Sequence, residues 1–227
     1  MTSEVRASDL TFTTYASMDG GHASKFGASV SLENDTLMIG APGYNRVYVY
    51  SRGTNSTWIQ RQIIYAPQTG GCNAWGYSCA YSFSDFGSTL DVSLDTLVIG
   101  AKGSWSSNKY SSHICIYSRN ATNFWVHHYT ANSTKSVSAF PRVAVSGNVV
   151  ALTIVSTNEN YNHYSPGYYQ YQSRAGGVLL LAQMMSEWRS SDWVPFSSPS
   201  FVSLDSNVLA VGESSGAGKV ATFELTT

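Results

Sequence analysis

With 227 residues, 43% of them apolar and only 12% charged, the chain has material for a sizeable core and falls outside the disordered class. A net charge of −1 and the lack of any Lys/Arg cluster remove the driving force for nucleic-acid binding, and the longest compact apolar run, Val178 to Ala182, is far below the ~18 residues a membrane span needs. The 15 Tyr and 6 Trp, set among abundant Ser, Thr, Gly and Asn, read as a β-rich protein with an aromatic binding surface.

In chain order, the opening MTSEVRASDL lacks the apolar core of a secretion signal. Residues 10–16, LTFTTYA, form the first short strand pattern. From Phe26 the sequence FGASVSLENDTLMIGAPG begins, and 60 residues on it returns as FGSTLDVSLDTLVIGAKG from Phe86. Two more divergent copies, VAVSGNVVALT from Val143 and VSLDSNVLAVG from Val202, align with each other without a gap.

Each copy continues into a further strand: RVYVYSR (46–52), HICIYSR (113–119), YYQYQSR (168–174) and KVATFEL (219–225). In the first two, Trp58 and Trp125 then open a fourth strand at the same offset. Every unit therefore reads as four short strands, here called a to d, separated by Gly, Asn, Asp and Ser. Strand b is apolar throughout instead of alternating, the pattern of a strand buried on both faces.

These features resemble the FG-GAP repeat family, which forms the blades of the integrin α-subunit propeller. Phe26-Gly27, the apolar run, Gly40-Ala41-Pro42 and the tryptophan carry the likeness in the first copy, and Phe86-Gly87 with Trp125 carry it in the second. The resemblance implies an all-β fold, a small β-propeller of about four four-stranded antiparallel blades. Expected blades span about residues 26–66, 86–130, 140–185 and 200–225, the last completed by strand 10–16, which would close the ring and leave no open edge. An open array or sandwich of the same strands is the competing architecture. Integrin propellers hold calcium in acidic a-to-b loops; the tight turns here are too short for such a cage, so no metal site and no cofactor is expected.

Antiparallel order places the b-to-c and d-to-a connections on one face of the disc and the tight a-to-b and c-to-d turns on the other. The long connections, residues 67–85, 102–112, 156–167 and 186–200, all fall on the first face. They hold Trp75, Tyr77, Trp105, Tyr110, Tyr161, Tyr164, Trp188 and Trp193, the expected ligand-binding residues, because Trp and Tyr join large apolar area to a polar handle. Trp58 and Trp125 are expected to pack between blades.

Cys115 sits in an apolar stretch and is expected to be a buried free thiol, while Cys72 and Cys79 share one loop and are expected to pair if the protein matures in an oxidising compartment. Four sequons, at Asn34, Asn55, Asn120 and Asn132, are about what chance supplies in so Ser/Thr-rich a chain. His127 and His128 are neighbours on a strand and point to opposite faces, and His22, His113 and His163 are isolated residues expected at the surface or in loops. GESSGAGK (212–219) superficially resembles a phosphate loop but lacks the Ser or Thr after Lys219 and the following helix. Asp85, Glu187 and Asp192 lie in first-face connections and form the one acidic set worth weighing for glycoside hydrolysis.

The favoured expectation is a non-catalytic recognition or adhesion module, extracellular or surface-exposed, binding a protein or carbohydrate through the first face. Alternatives are an architectural component of a coat, surface layer or particle, and a glycosidase-like propeller enzyme.

Overall fold

The computed structural model describes residues 18, 20–21, 23–55, 57–67, 82–105, 109–132, 141–154, 177–184, 187–195, 199–213 and 217–225. Its fold is all-β: four separate antiparallel sheets, with one 3-10 turn at Pro42–Tyr44 among the described residues. The first sheet comprises β1 (Ser29–Glu33), β2 (Thr36–Ala41), β3 (Arg46–Arg52) and β4 (Trp58–Tyr65). The second comprises β5 (Ser82–Ser93), β6 (Thr96–Trp105), β7 (Lys109–Arg119) and β8 (Trp125–Asn132). The third comprises β9 (Val143–Ser146), β10 (Val149–Ile154), β11 (Gly177–Met184) and β12 (Glu187–Pro195), and the fourth has three strands, β13 (Pro199–Asp205), β14 (Val208–Glu213) and β15 (Lys219–Glu224). Within each sheet the strands pair in chain order.

The turn pairs Glu33 with Thr36, Ser93 with Thr96, Ser146 with Val149 and Asp205 with Val208 put all four sheets in one register. Strand alternation then gives each sheet two faces, one toward the preceding sheet and one toward the next. The forward face of the first sheet (Met38, Val47, Val49, Ile64) packs on the rear face of the second (Leu90, Val92, Leu97, Ile99, Cys115, Tyr117). The same contact recurs from the second to the third (Val98, Ile114 and Ile116 against Val145, Val150 and Leu152), and from the third to the fourth (Ala151, Val178 and Leu180 against Leu204, Leu209 and Val211). This explains the apolar b strands: β6 is buried from Thr96 through Ala101 because both its faces are covered, whereas β14 buries Leu209 and Val211 on one face only.

Glycines set how close the sheets come. A methyl group on Gly40 would overlap the carbonyl oxygen of Gly87, which itself stands at φ +90° and accepts a hydrogen bond from the Ser29 hydroxyl at 2.7 Å. Polar links accompany the apolar ones along the a strands. The carboxylate of Asp91 accepts from the Ser31 hydroxyl (3.0 Å) in the first sheet and from the Val145 N–H (2.9 Å) in the third. At the turns, Glu33 Oε1, Ser93 Oγ and Ser146 Oγ accept from the N–H of Leu94 (3.4 Å), Gly147 (3.1 Å) and Ser206 (2.9 Å), each in the next sheet.

Two expectations change. The third strand of the third sheet is β11, not the tyrosine-rich stretch 168–174, which lies outside the described residues. The buried run of Val178, Leu180 and Leu181 supplies apolar contacts on both faces and so takes the inner position. In consequence β12 carries the sheet to Pro195, past the expected limit near residue 185. Residues 10–16 lie outside the described residues.

Trp58 and Trp125 occupy matching places opposite Arg52 and Arg119, yet only Trp125 is fully buried. Its backbone N–H and C=O are both bonded by the Gln62 amide of the first sheet, at 2.9 and 2.8 Å, and Arg119 lies 4.8 Å above its ring. Trp58 is on the rear of the first sheet, so the expectation of equal inter-sheet packing is corrected to Trp125 alone. Trp125→Ala is expected to cost about 3–5 kcal/mol of unfolding free energy and Trp58→Ala distinctly less, measured by urea titration.

The first residue of each a-to-b turn is left-handed: Asn34, Leu94, Gly147 and Ser206 all have φ near +52° to +53°. Leu94 is the costly choice, because a branched, exposed side chain gains nothing there to offset the backbone strain. Leu94→Asn is expected to raise stability by about 0.5–1 kcal/mol in the same titration; a loss would show that the turn strain is not relieved by Asn.

Candidate functional site

Of the eight aromatic residues expected in first-face loops, Trp75, Tyr77, Tyr161 and Tyr164 lie outside the described residues, as do Cys72 and Cys79. The other four are on strands, not loops. Trp105 ends β6 and Tyr110 is the second residue of β7, where Trp105 pairs with Lys109 and Ser104 with Tyr110. This ribbon prolongs the second sheet at the b-to-c end. Trp193 pairs with Leu179 toward the same end of the third sheet. Trp188 pairs with Gln183 beside the c-to-d connection and thus belongs to the opposite, turn-bearing end. The backbone therefore groups Trp105, Tyr110 and Trp193 at one end and separates Trp188 from them.

The same end carries a cluster that strand patterning does not single out. After β2, Pro42 starts a one-turn 3-10 segment that Asn45 terminates at φ +53°, its N–H returning to the Pro42 carbonyl. The segment is held from both sides. Gly43 N–H donates to the Ser24 carbonyl (2.9 Å), and the Asn45 side-chain oxygen accepts from the Phe86 N–H (3.0 Å) of the second sheet. This presents Tyr44 outward, while the pairing of Arg46 with Tyr65 brings a second exposed ring alongside. The Arg46 guanidinium lies 5.6 Å from the Tyr44 ring centre and 5.1 Å from that of Tyr65. Arg46 Nε is buried and makes no hydrogen bond among the described residues. A cation beside two exposed phenol rings suits a carboxylate or another flat oxygen acceptor. The signal for it in sequence is GAPGYNR followed by a Tyr at the end of β4, but only three-dimensional register joins the two.

Asp85, Glu187 and Asp192, expected as charges in first-face loops, are all on strands. Asp85 lies in β5, with Lys25 Nζ 3.9 Å away, and Glu187 and Asp192 are both on β12, with Glu187 at its turn-bearing start. Among the described residues, no three His, Cys, Asp or Glu side chains are grouped to hold a metal ion.

His113, expected at the surface or in a loop, is a buried residue of β7, edge-on to Phe83 with ring centres 5.1 Å apart. Burial lowers its pKa to about 4. Cys115, two residues along the same strand, is a buried free thiol, as its apolar surroundings suggested; burial pushes it up to about 12, with a smaller opposing contribution from the Thr130 hydroxyl at 3.7 Å. Such a thiol is inert as a nucleophile near neutrality.

No family model and no curated protein matches the chain. Among solved structures, it is similar to the computationally designed Ika4 protein, with a TM-score of 0.54 at 12% identity over 95% of this chain and 100% of that one. The computationally designed Ika8 protein is more distant, with a TM-score of 0.31 at 12% identity over 88% of this chain and 72% of that one. The likeness to Ika4 concerns the fold alone.

Buried His113 makes stability depend on pH. Its folded-state pKa of about 4 lies below the ordinary value of about 6.5, so on acidification the unfolded chain binds a proton before the folded one does. Its stabilisation is complete above the unfolded value and is lost as pH falls from there toward 4. Between about pH 7.5 and 5 the loss is expected to be roughly 2 kcal/mol in urea titrations, and His113→Leu should remove that part of the slope. An unchanged slope in the variant would assign the effect to other groups.

Proposed function

We propose that the protein is a non-catalytic recognition module whose b-to-c end binds a protein or a glycan, and that its four sheets are blades of a propeller of the FG-GAP type. The observation that carries the binding reading is Arg46 set between the exposed rings of Tyr44 and Tyr65. Two exposed rings around one cation offer apolar area and charge at a single place, a combination favoured at recognition sites. The preferred ligand on this chemistry carries a carboxylate: an acidic sugar, or an Asp, Glu or C-terminus of a protein. Trp105, Tyr110 and Trp193, at the same end, supply further aromatic residues, and the low overall charge leaves stacking and hydrogen bonding as the main sources of affinity.

The propeller reading rests on the shared register of the four sheets and on their repeated forward-to-rear packing. It leaves β15 at the edge of the three-stranded sheet, where a further strand, from this chain or from a neighbouring copy, would complete the blade.

A glycan array containing neutral, uronic-acid and sialic-acid members, run beside a peptide library with free and amidated C-termini, tests the ligand class. Binding is expected to concentrate on carboxylate-bearing members. Tyr44→Ala and Tyr65→Ala should each weaken it about tenfold, and Thr54→Ala, in an exposed turn at the opposite end, should leave it unchanged. Binding that ignores the carboxylate, or that survives both tyrosine variants, assigns recognition to another surface.

A further inference from the structure

The four sheets use three copies of one interface, and the molecule displays the two unused halves of a fourth. On the rear of the first sheet, Val30 and Leu32 are 58% exposed, whereas Leu90 and Val92, at the same register positions of the second sheet, are 7% and 5% exposed. On the forward side of the fourth sheet, Val220 is 76% exposed, although its counterparts Val47, Ile114 and Val178 are essentially sealed at 0%, 1% and 0%. Phe201 stands exposed beside it over a shallow depression floored by Gly212.

The unused halves match in more than hydrophobicity. Gly212 occupies the place of Gly40, where the next sheet's backbone comes too near for a methyl group, but the nearest atom to a methyl there is Phe201 Cβ at 3.8 Å. The residue that approaches Gly40 is Gly87, and its counterpart in the repeat, Gly27, would have nothing within 4 Å of an added methyl group despite its matching φ of +87°. The turn contact has both its ends as well. Asp205 holds the acceptor position of Glu33, Ser93 and Ser146, and Asn34 holds the N–H position of Leu94, Gly147 and Ser206.

We infer that a second copy of this chain docks head to tail, seating the rear face of its first sheet on the forward face of the fourth sheet of its neighbour. Among the described residues the two halves do not meet within one chain, and each is the partner that the other's repeat pattern was built for, so the surface that fits best is the chain's own opposite end. The contact is heterologous: Gly27 would approach Gly212, Val30 and Leu32 would cover Val220, and the Asn34 N–H would reach Asp205. Association by this contact closes into a ring of copies or extends as a filament, according to the rotation between them.

Sedimentation velocity of the full chain over a range of concentrations, with light scattering for mass, tests this. Wild type is expected to have at least twice the mass of one chain. Val220→Lys and Leu32→Lys change exposed residues, so each should keep the wild-type circular dichroism spectrum, and each alone should weaken association by more than about a hundredfold, because a lysine is buried without a partner. Mixing the two variants restores one undamaged contact and should yield a one-to-one pair. Phe201→Lys and Val30→Lys serve as replacements if either first variant unfolds. A monomeric wild type, a mass unaffected by Val220→Lys, or disruption by a change at only one of the two ends would each overturn the proposal.

Discussion

Face-to-face packing of successive apolar sheets, brought close by glycine at Gly40, is the contact on which everything else depends. A four-stranded antiparallel sheet has little stability by itself, because its b and c strands present apolar side chains on two sides and, among the described residues, no α-helix covers them. Each sheet is therefore finished only by its neighbour. The core is a series of three layers between sheets and not one central mass, which is why single residues such as Trp125 and Val98 matter through the partner sheet they reach.

That arrangement also separates stability from recognition. The a-to-b turns are short and tied to the next sheet by hydrogen bonds from Leu94, Gly147 and Ser206, leaving them little freedom to adapt to a ligand. The exposed aromatic rings of Tyr44 and Tyr65 are at the b-to-c end instead. There the 3-10 segment at Pro42–Tyr44 is fixed by Asn45 to the second sheet, so Tyr44 and Arg46 are presented on a rigid base, which lowers the entropic cost of binding.

How much of this is legible in the sequence depends on what kind of force fixes each feature. The first two sheets can be read directly, because TLMIGA and TLVIGA must satisfy the same two-sided burial and so retain the same residues. The third misleads at its inner strand. A tyrosine-rich run ending in Ser-Arg imitates the Tyr-Ser-Arg ending of RVYVYSR, whereas the strand that enters the core, GVLLLAQM, is recognised by burial demand and not by motif. Trp105 and Tyr110 read as loop residues because a ribbon projecting past the core has Gly, Ser and Lys around it and no packing signal. His113 misleads for the converse reason: a polar ring at the end of an apolar strand looks exposed until Phe83 is seen against it. The Arg46 cluster requires the pairing of β3 with β4, which no single strand reveals.

Asp91 introduces a further asymmetry into the repeat. Its counterparts are Ser31, Ala144 and Ser203, none of which offers two acceptor oxygens, and its own carboxylate reaches backward to Ser31 and forward to the Val145 N–H. The four units are consequently not interchangeable. A chain in which the first unit replaced the second would set a hydroxyl where one sheet supplies a hydroxyl and the other an amide, and the Val145 N–H would be left facing a group too short to accept it. One carboxylate thus acts as an address, fixing which copy stands second in the row. A unit inserted among the first three sheets would break that address, whereas one added before the first sheet or after the third would leave it intact.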